Sequence, residues 1–207
     1  AIVPIPDSVS DTDAVSVLFG GATALAFFKD GSLRAGESIL INGASGAVGT
    51  MAIQIAKHMG AVVTGVCSSA NAELVRGLGA DHVIAYDRED FTQNGKTYDV
   101  IMDNHGNAPY ARVRNSLKPG GRFLLVIFDT LWEMVSAKWT SQVVESGKEE
   151  DAVNSEAYSE LMDLLATGTI KPVIDRMLPF EEIAEAHRLV DSGRKRGSVV
   201  VTIGSPS

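Results

Sequence analysis

The stretch ILINGASGAVGTMAIQIAKHMGA, Ile39 to Ala61, decides how the rest of the chain is read. An apolar run ends at Asn42 and meets three glycines spaced three apart, Gly43, Gly46 and Gly49. A helical pattern follows and stops at Gly60. Two explanations compete: a tight turn that is merely glycine-rich, and a cradle for phosphate. The placement separates them. The third glycine falls in the first turn of the helix, where unpaired N–H groups and roughly half a positive charge favour a diphosphate. Gly46 lets the backbone approach such a group, and Gly49 lets the helix pack closely on the strand. A strand, loop, helix and second strand in that order favour a dinucleotide over an empty turn.

Working outward, SILIN reads as a strand, VGTMAIQIAKHMG as a helix, AVVTGVCS as a strand and NAELVRGLG as a helix. DHVIAY and YDVIMDN are further strands, YARVRNSL is a helix before a KPGG turn, and RFLLVIF is the fifth strand. Strands alternating with amphipathic helices predict right-handed crossovers and a parallel sheet covered on both faces. Upstream, Ser10 or Asp11 caps a helix that Gly20-Gly21 interrupts, which leaves one segment or two open there. Downstream, SQVV offers a short strand and AYSELMDLLATG a helix. IKPVIDRML, FEEIAEAHRLVDSG and GSVVVTIG read as strand, helix, strand. The fold class is α/β: a Rossmann-type doubly wound parallel sheet with a C-terminal strand-helix-strand segment. The expected divisions are a helical lead-in at 1–35, the dinucleotide-binding domain at 36–172 and the C-terminal segment at 173–207.

The 207 residues are 45% hydrophobic and 21% charged, as in an ordinary globular protein with ample core. A net charge of −8 argues against nucleic acid and against an acidic membrane surface. The one basic run, Arg194 to Arg196, reads as a solvated turn before a strand. No apolar run is expected to cross a bilayer, and the N-terminus has neither a basic flank nor a signal-type apolar stretch. A single cysteine, Cys67, excludes an internal disulfide and a cysteine-based zinc knuckle, and a reducing cytoplasm is the expected location.

An NAD site commonly carries Asp or Glu about 20 residues beyond the glycines, on the ribose 2′-hydroxyl. Here that place is Cys67 to Asn71, with no carboxylate before Glu73. The absence permits NADP, and Ser68 and Ser69 are placed to donate to a 2′-phosphate. No Arg or Lys lies in the stretch, and Arg76 belongs to the following helix. NADP is the expected cofactor, with NAD possible.

LRAGESILINGASGAVGTMAIQIAKHMGA, LGADHVIAYDREDF, YDVIMDNHGN, LKPGGRF and GTIKPVIDR resemble the medium-chain dehydrogenase/reductase superfamily, in its zinc-independent quinone oxidoreductase-like branch. The resemblance covers nearly the whole chain, in the family's order. It implies the cofactor-binding half of a reductase that lacks most of its GroES-like domain, with residues from about Val173 returning to complete that domain. It also implies that Ala44, Ser45, Gly46, Ala47 and Val48 form the pyrophosphate turn and that Thr23 lies near the nicotinamide. Tyr86 corresponds to a tyrosine near the adenosine 2′-phosphate, and Asn104 and Phe128 to cofactor-lining positions. The family's basic partner for the 2′-phosphate falls at Asn71, and a related pattern's arginine at Ala70. Both are departures from an NADP site. The catalytic zinc cysteine of zinc-dependent relatives corresponds to Phe19, so no metal is expected. A homodimer paired along the sheet edge after the fifth strand is also implied.

No catalytic residue is assigned. Tyr110 and His105 are the candidate proton donors, with packing and loop roles as the plainer alternatives. Asp99 and Asp103, four apart in one strand, face one way but read as turn-ending residues rather than an acid pair. Three functions stay open. One is an NADPH-dependent reductase of a quinone, enone or related small-molecule carbonyl. The others are a non-catalytic nucleotide-binding module and an NAD-dependent alcohol or carbonyl dehydrogenase.

Overall fold

In a computed structural model, residues 2–127, 143–144 and 155–204 are described. Helix α1 (Asp11–Asp30) leads in, capped by Ser10, whose Oγ accepts from the Asp13 N–H at 3.1 Å. It is one continuous helix, not two. Gly20 and Gly21 are contact points instead of breaks. A Cβ on Gly20 would lie 2.3 Å from the Ala47 carbonyl oxygen, and one on Gly21 would lie 2.5 Å from the Leu161 side chain. Unlike the sequence expectation, this helix is apolar and long enough to span a membrane by length and composition. Its apolar positions are used in the core: Val17, Ala24, Phe27 and Phe28 are buried.

The alternation then proceeds as read: β1 (Ser38–Asn42), α2 (Ala47–His58), β2 (Val62–Cys67), α3 (Ala72–Gly77), β3 (His82–Ala85) and β4 (Tyr98–Asp103). After α4 (Tyr110–Val113), β5 (Leu117–Leu125) and β6 (Val143–Val144) complete one sheet of order β3-β2-β1-β4-β5-β6, with every pairing parallel. Two differences from the sequence reading are local. The YARVRNSL helix is a single turn followed by a 3-10 turn at Arg114–Ser116. KPGG lies within β5, where the register with β4 shifts between Tyr98 and Val100.

Period-two alternation divides the sheet's side chains between two cores. Ile39, Ile41, Val63, Val100, Met102 and Leu124 pack with α1, α2 and α5 (Ser155–Ala166). Leu40, Val66, Ile84, Ile101 and Phe123 pack on the other face with Val113. Asp99 fastens the lower end of β4: its Oδ2 accepts from the Ser38 amide at 2.8 Å and from Lys118 Nζ at 2.7 Å. Burial works against its ionisation, but the bonds from Lys118 and Ser38 prevail and hold its carboxyl down at about 2.

The chain ends in a separate parallel pair, β7 (Ile174–Pro179) and β8 (Ser198–Thr202), joined by α6 (Ile183–Asp191). This pair is tied back to the β1–α2 loop and to α1. The Gly197 N–H donates to the Ser45 carbonyl at 2.8 Å, and the Ser198 hydroxyl donates to the Ser16 carbonyl at 2.8 Å. The basic turn is only partly solvated. Arg194 and Arg196 are exposed, whereas the half-buried Lys195 ammonium donates to the Gly197 carbonyl at 2.6 Å.

Candidate functional site

In this strand order the connection direction reverses between β1 and β4, and open α/β sheets bind ligands at the carboxyl ends of the strands flanking such a reversal. The loops leaving β1 and β4 meet there. A Cβ on Gly43 would lie 3.5 Å from Asn104 Cβ and 3.6 Å from His105 Cβ.

The three glycines answer to three different physical demands. Gly43 has φ +76°, a region L side chains rarely adopt. Gly49 has no room, since its Cβ would sit 2.2 Å from the Gly43 carbonyl oxygen. Gly46 has neither reason. Its φ of −81° and ψ of 178° suit any residue, and its Cβ would meet only the Gly43 oxygen, at an ordinary 3.5 Å. Nothing inside the described protein requires glycine there. Gly46 is also the N-cap of α2 and supplies no side-chain cap, so the opening amides of that helix remain available. Ala44 is buried and its N–H bonds the Val66 carbonyl at 2.9 Å, while Ser45, Ala47 and Val48 are half-buried at the surface of the cradle. These features fit a diphosphate on the helix N-terminus.

Around the cradle, Asn104 donates its side-chain amide to the Asn42 carbonyl at 3.1 Å and keeps a buried Oδ1 without a partner. An orphaned acceptor in the crevice fits a hydroxyl or amide donor of a bound ligand. Asn71 reaches the loop from the β2 side, donating to Ser45 Oγ at 3.1 Å. Thr23 lies on α1 one turn beyond the Gly20–Ala47 contact, and its hydroxyl donates to the Phe19 carbonyl at 2.7 Å. Ser68 stands at the N-cap position of the 3-10 turn Ser69–Asn71 without a side-chain bond to it, and Tyr86, whose N–H bonds the Cys67 carbonyl at 3.0 Å, is 65% exposed. Ser69 does not stand ready as a donor, because both its N–H and its hydroxyl bond Asp87. Phe128 lies outside the described residues.

Sequence reasoning passed over Asp103 as a turn-ending residue. Fully buried, it accepts from Asn42 Nδ2 at 2.8 Å and from the amides of His105, Gly106 and Ala108 at 3.0, 3.2 and 3.1 Å. It therefore shapes the β4–α4 loop that walls the crevice. Its signal was a carboxylate at a strand end followed by the loop NHGNA. Of the two candidate proton donors, His105 is exposed on that loop, and the Tyr110 ring packs against Phe123 with centroids 6.3 Å apart.

Residues 78–201 match the family described as zinc-binding dehydrogenase. Over 96% of its length the chain is 34% identical to the Mus musculus protein "NAD(P)H oxidoreductase RTN4IP1, mitochondrial", covering 57% of that protein. It is 30% identical over 95% of its length to the 2-methylene-furan-3-one reductase of Solanum lycopersicum, covering 48% of it. A quinone oxidoreductase structure from Coxiella burnetii superposes with TM-score 0.88 at 26% identity, over 98% of this chain and 64% of that one. The chain thus spans about half the length of the curated relatives it matches.

The family's description raises zinc, and the described residues do not fit it. Among the described residues no three His, Cys, Asp or Glu side chains converge, whereas a tetrahedral site needs three or four. Cys67 is buried, and desolvation pushes its thiol up to about 11 despite the Arg76 charge, so it is not a ready thiolate. Phe19 is 74% exposed and offers no ligand atom.

Proposed function

Because the chain belongs to the zinc-binding dehydrogenase family of the medium-chain dehydrogenase/reductase superfamily, as its cofactor-binding half, we propose that it holds a nicotinamide dinucleotide for a zinc-independent oxidoreductase acting on a quinone, an enone or a related carbonyl. The observation that carries this reading is Gly46, a glycine demanded neither by its backbone angles nor by packing, at the N-cap of a helix beside the sheet's reversal point.

The bound nicotinamide would supply the hydride. The chain's own contribution is positioning and exclusion of water. The amides opening α2 bind the diphosphate, and Asn104 Oδ1 takes a donor from the nicotinamide half. Thr23 borders that half, while Tyr86, Ser68 and Asn71 border the adenosine end. Residues 67–71, which carry no carboxylate, favour NADP(H) when taken by themselves. The names of the relatives, an NAD(P)H oxidoreductase, a furanone reductase and a quinone oxidoreductase, support a conjugated carbonyl or quinone as the small-molecule substrate. The β7–β8 unit is proposed to complete the substrate-binding half, and the active form to be a cytoplasmic homodimer. Calorimetric titration of the full chain with NADH and NADPH tests the binding. Oxidation of the reduced coenzyme in the presence of a benzoquinone or an enone tests the turnover. Absence of heat with both coenzymes at millimolar concentration refutes the reading.

A further inference from the structure

Ser69 opens the 3-10 turn after β2, where the adenosine ribose reaches a Rossmann-type site. Both of its hydrogens are committed. Its N–H donates to Asp87 Oδ1 at 2.8 Å and its hydroxyl donates to Asp87 Oδ2 at 2.5 Å. A serine hydroxyl has one hydrogen, so Ser69 presents only lone pairs toward a ligand. Asn71 likewise directs one amide hydrogen at Ser45 Oγ. Asp87 is solvent-exposed, and the side-chain and backbone bonds from Ser69 hold its carboxyl below the ordinary carboxylate range, so it is ionised at neutral pH. Each of its oxygens accepts one bond from Ser69 and keeps further lone-pair capacity. The end of the strand is thus rich in acceptors and in negative charge. Such a surface receives a hydroxyl donor and repels a phosphate.

Resting on the dinucleotide reading above, we infer that Asp87 decides coenzyme choice: the carboxylate that β3 brings to Ser69 selects the 2′-hydroxyl of NAD(H) and rejects the 2′-phosphate of NADP(H). The acid that an NAD site commonly takes from the end of its second strand comes here from the neighbouring strand. The parallel pairing of Cys67 with Ala85 puts Asp87 next to Ser69 although 18 residues separate them. The cations nearby do not reverse the balance. Arg88 is exposed and offsets part of the Asp87 charge, and Arg76 is exposed on α3. The Arg194–Arg196 turn reaches the glycine loop through Gly197 rather than through Ser69.

The test measures dissociation constants of the full chain for NADH and NADPH by coenzyme fluorescence, and for 5′-ADP and 2′,5′-ADP by calorimetry. The wild type is expected to bind the unphosphorylated member of each pair more tightly. Asp87→Asn, which removes the charge at constant size, is expected to move the NADPH-to-NADH affinity ratio toward NADPH by about tenfold, as for one charge facing a doubly charged phosphate in a water-like dielectric. Wild-type preference for the phosphorylated ligands overturns the inference. So does a ratio that Asp87→Asn leaves unmoved. Should Asp87→Asn fail to fold, the preference of the wild type between the two ADP ligands decides the matter. Failure of all four ligands to bind overturns the dinucleotide reading as well.

Discussion

Replacing Gly46 and Gly49 by alanine, one at a time, separates a ligand's demand for glycine from the fold's. At Gly46 the added methyl meets only the Gly43 oxygen at 3.5 Å, in extended backbone open to any residue. Alanine is a poorer N-cap than glycine by about 0.5–1 kcal/mol, and the stiffer unfolded chain returns about 0.4–1 kcal/mol. The two nearly cancel. The melting temperature is then expected within about 2 °C of wild type, at roughly 2–4 °C per kcal/mol for a chain of this size. At Gly49 the methyl falls 2.2 Å from backbone oxygen, so the strand–helix contact must open. Overpacking of that kind costs about 1–3 kcal/mol, which lowers the melting temperature by several degrees. Binding should rank differently. A methyl at Gly46 keeps the diphosphate off the helix amides, and loss of one charge-assisted bond of about 1.5–3 kcal/mol weakens NADH by roughly ten- to a hundredfold. Differential scanning fluorimetry with coenzyme titration reads both quantities. If Gly46→Ala binds NADH within twofold of wild type, the cradle is not the diphosphate site, and no ligand explains the glycine at that position.

Other outcomes follow from the same geometry. Asp103→Ala leaves three loop amides without their acceptor and takes from Asn42 Nδ2 one of its two. A loss of about 3 kcal/mol or more is expected in urea unfolding, together with weakened coenzyme binding through the displaced Asn104 loop. Asp99 has a folded-state value of about 2 against an ordinary 3.8, so its stabilisation is present above about pH 4 and fades as pH falls toward 2. Wild type should therefore exceed Asp99→Asn by about 2 kcal/mol at pH 6, and the gap should narrow below pH 4 in denaturant midpoints. The buried Gln54 amide bonds both the N–H and the carbonyl of Lys171, at 2.8 and 3.0 Å. Gln54→Leu should cost about 1–3 kcal/mol and speed hydrogen exchange at Lys171.

The alternation of β1 to β5 with helices was legible because β1, β2 and β4 are buried on both faces and α2 and α3 end in glycine signals, at Gly60 and Gly79. The same local signals misled at Gly20-Gly21. There the partners that need glycine, Ala47 and Leu161, lie far along the chain, and the pair resembles a helix break only while those partners are unseen. KPGG reads as a turn in isolation and is a register shift within β5 once β4 lies beside it. At the site, the glycine loop that opens α2 was legible from spacing alone. The residues that adjust it were not, because their meaning is set across strands. Asp103 is bonded by a loop that folds back on it, and Asp87 is bonded by Ser69 in the turn that follows the neighbouring strand β2.

The hydrogen bond from Gly197 to the Ser45 carbonyl joins two parts of the chain that sequence order keeps about 150 residues apart. One end belongs to the small sheet and the other to the loop that would cup the diphosphate. Any hinge movement of the small sheet is therefore transmitted to the loop's own backbone, and a coenzyme that stiffens the loop in turn restrains the hinge.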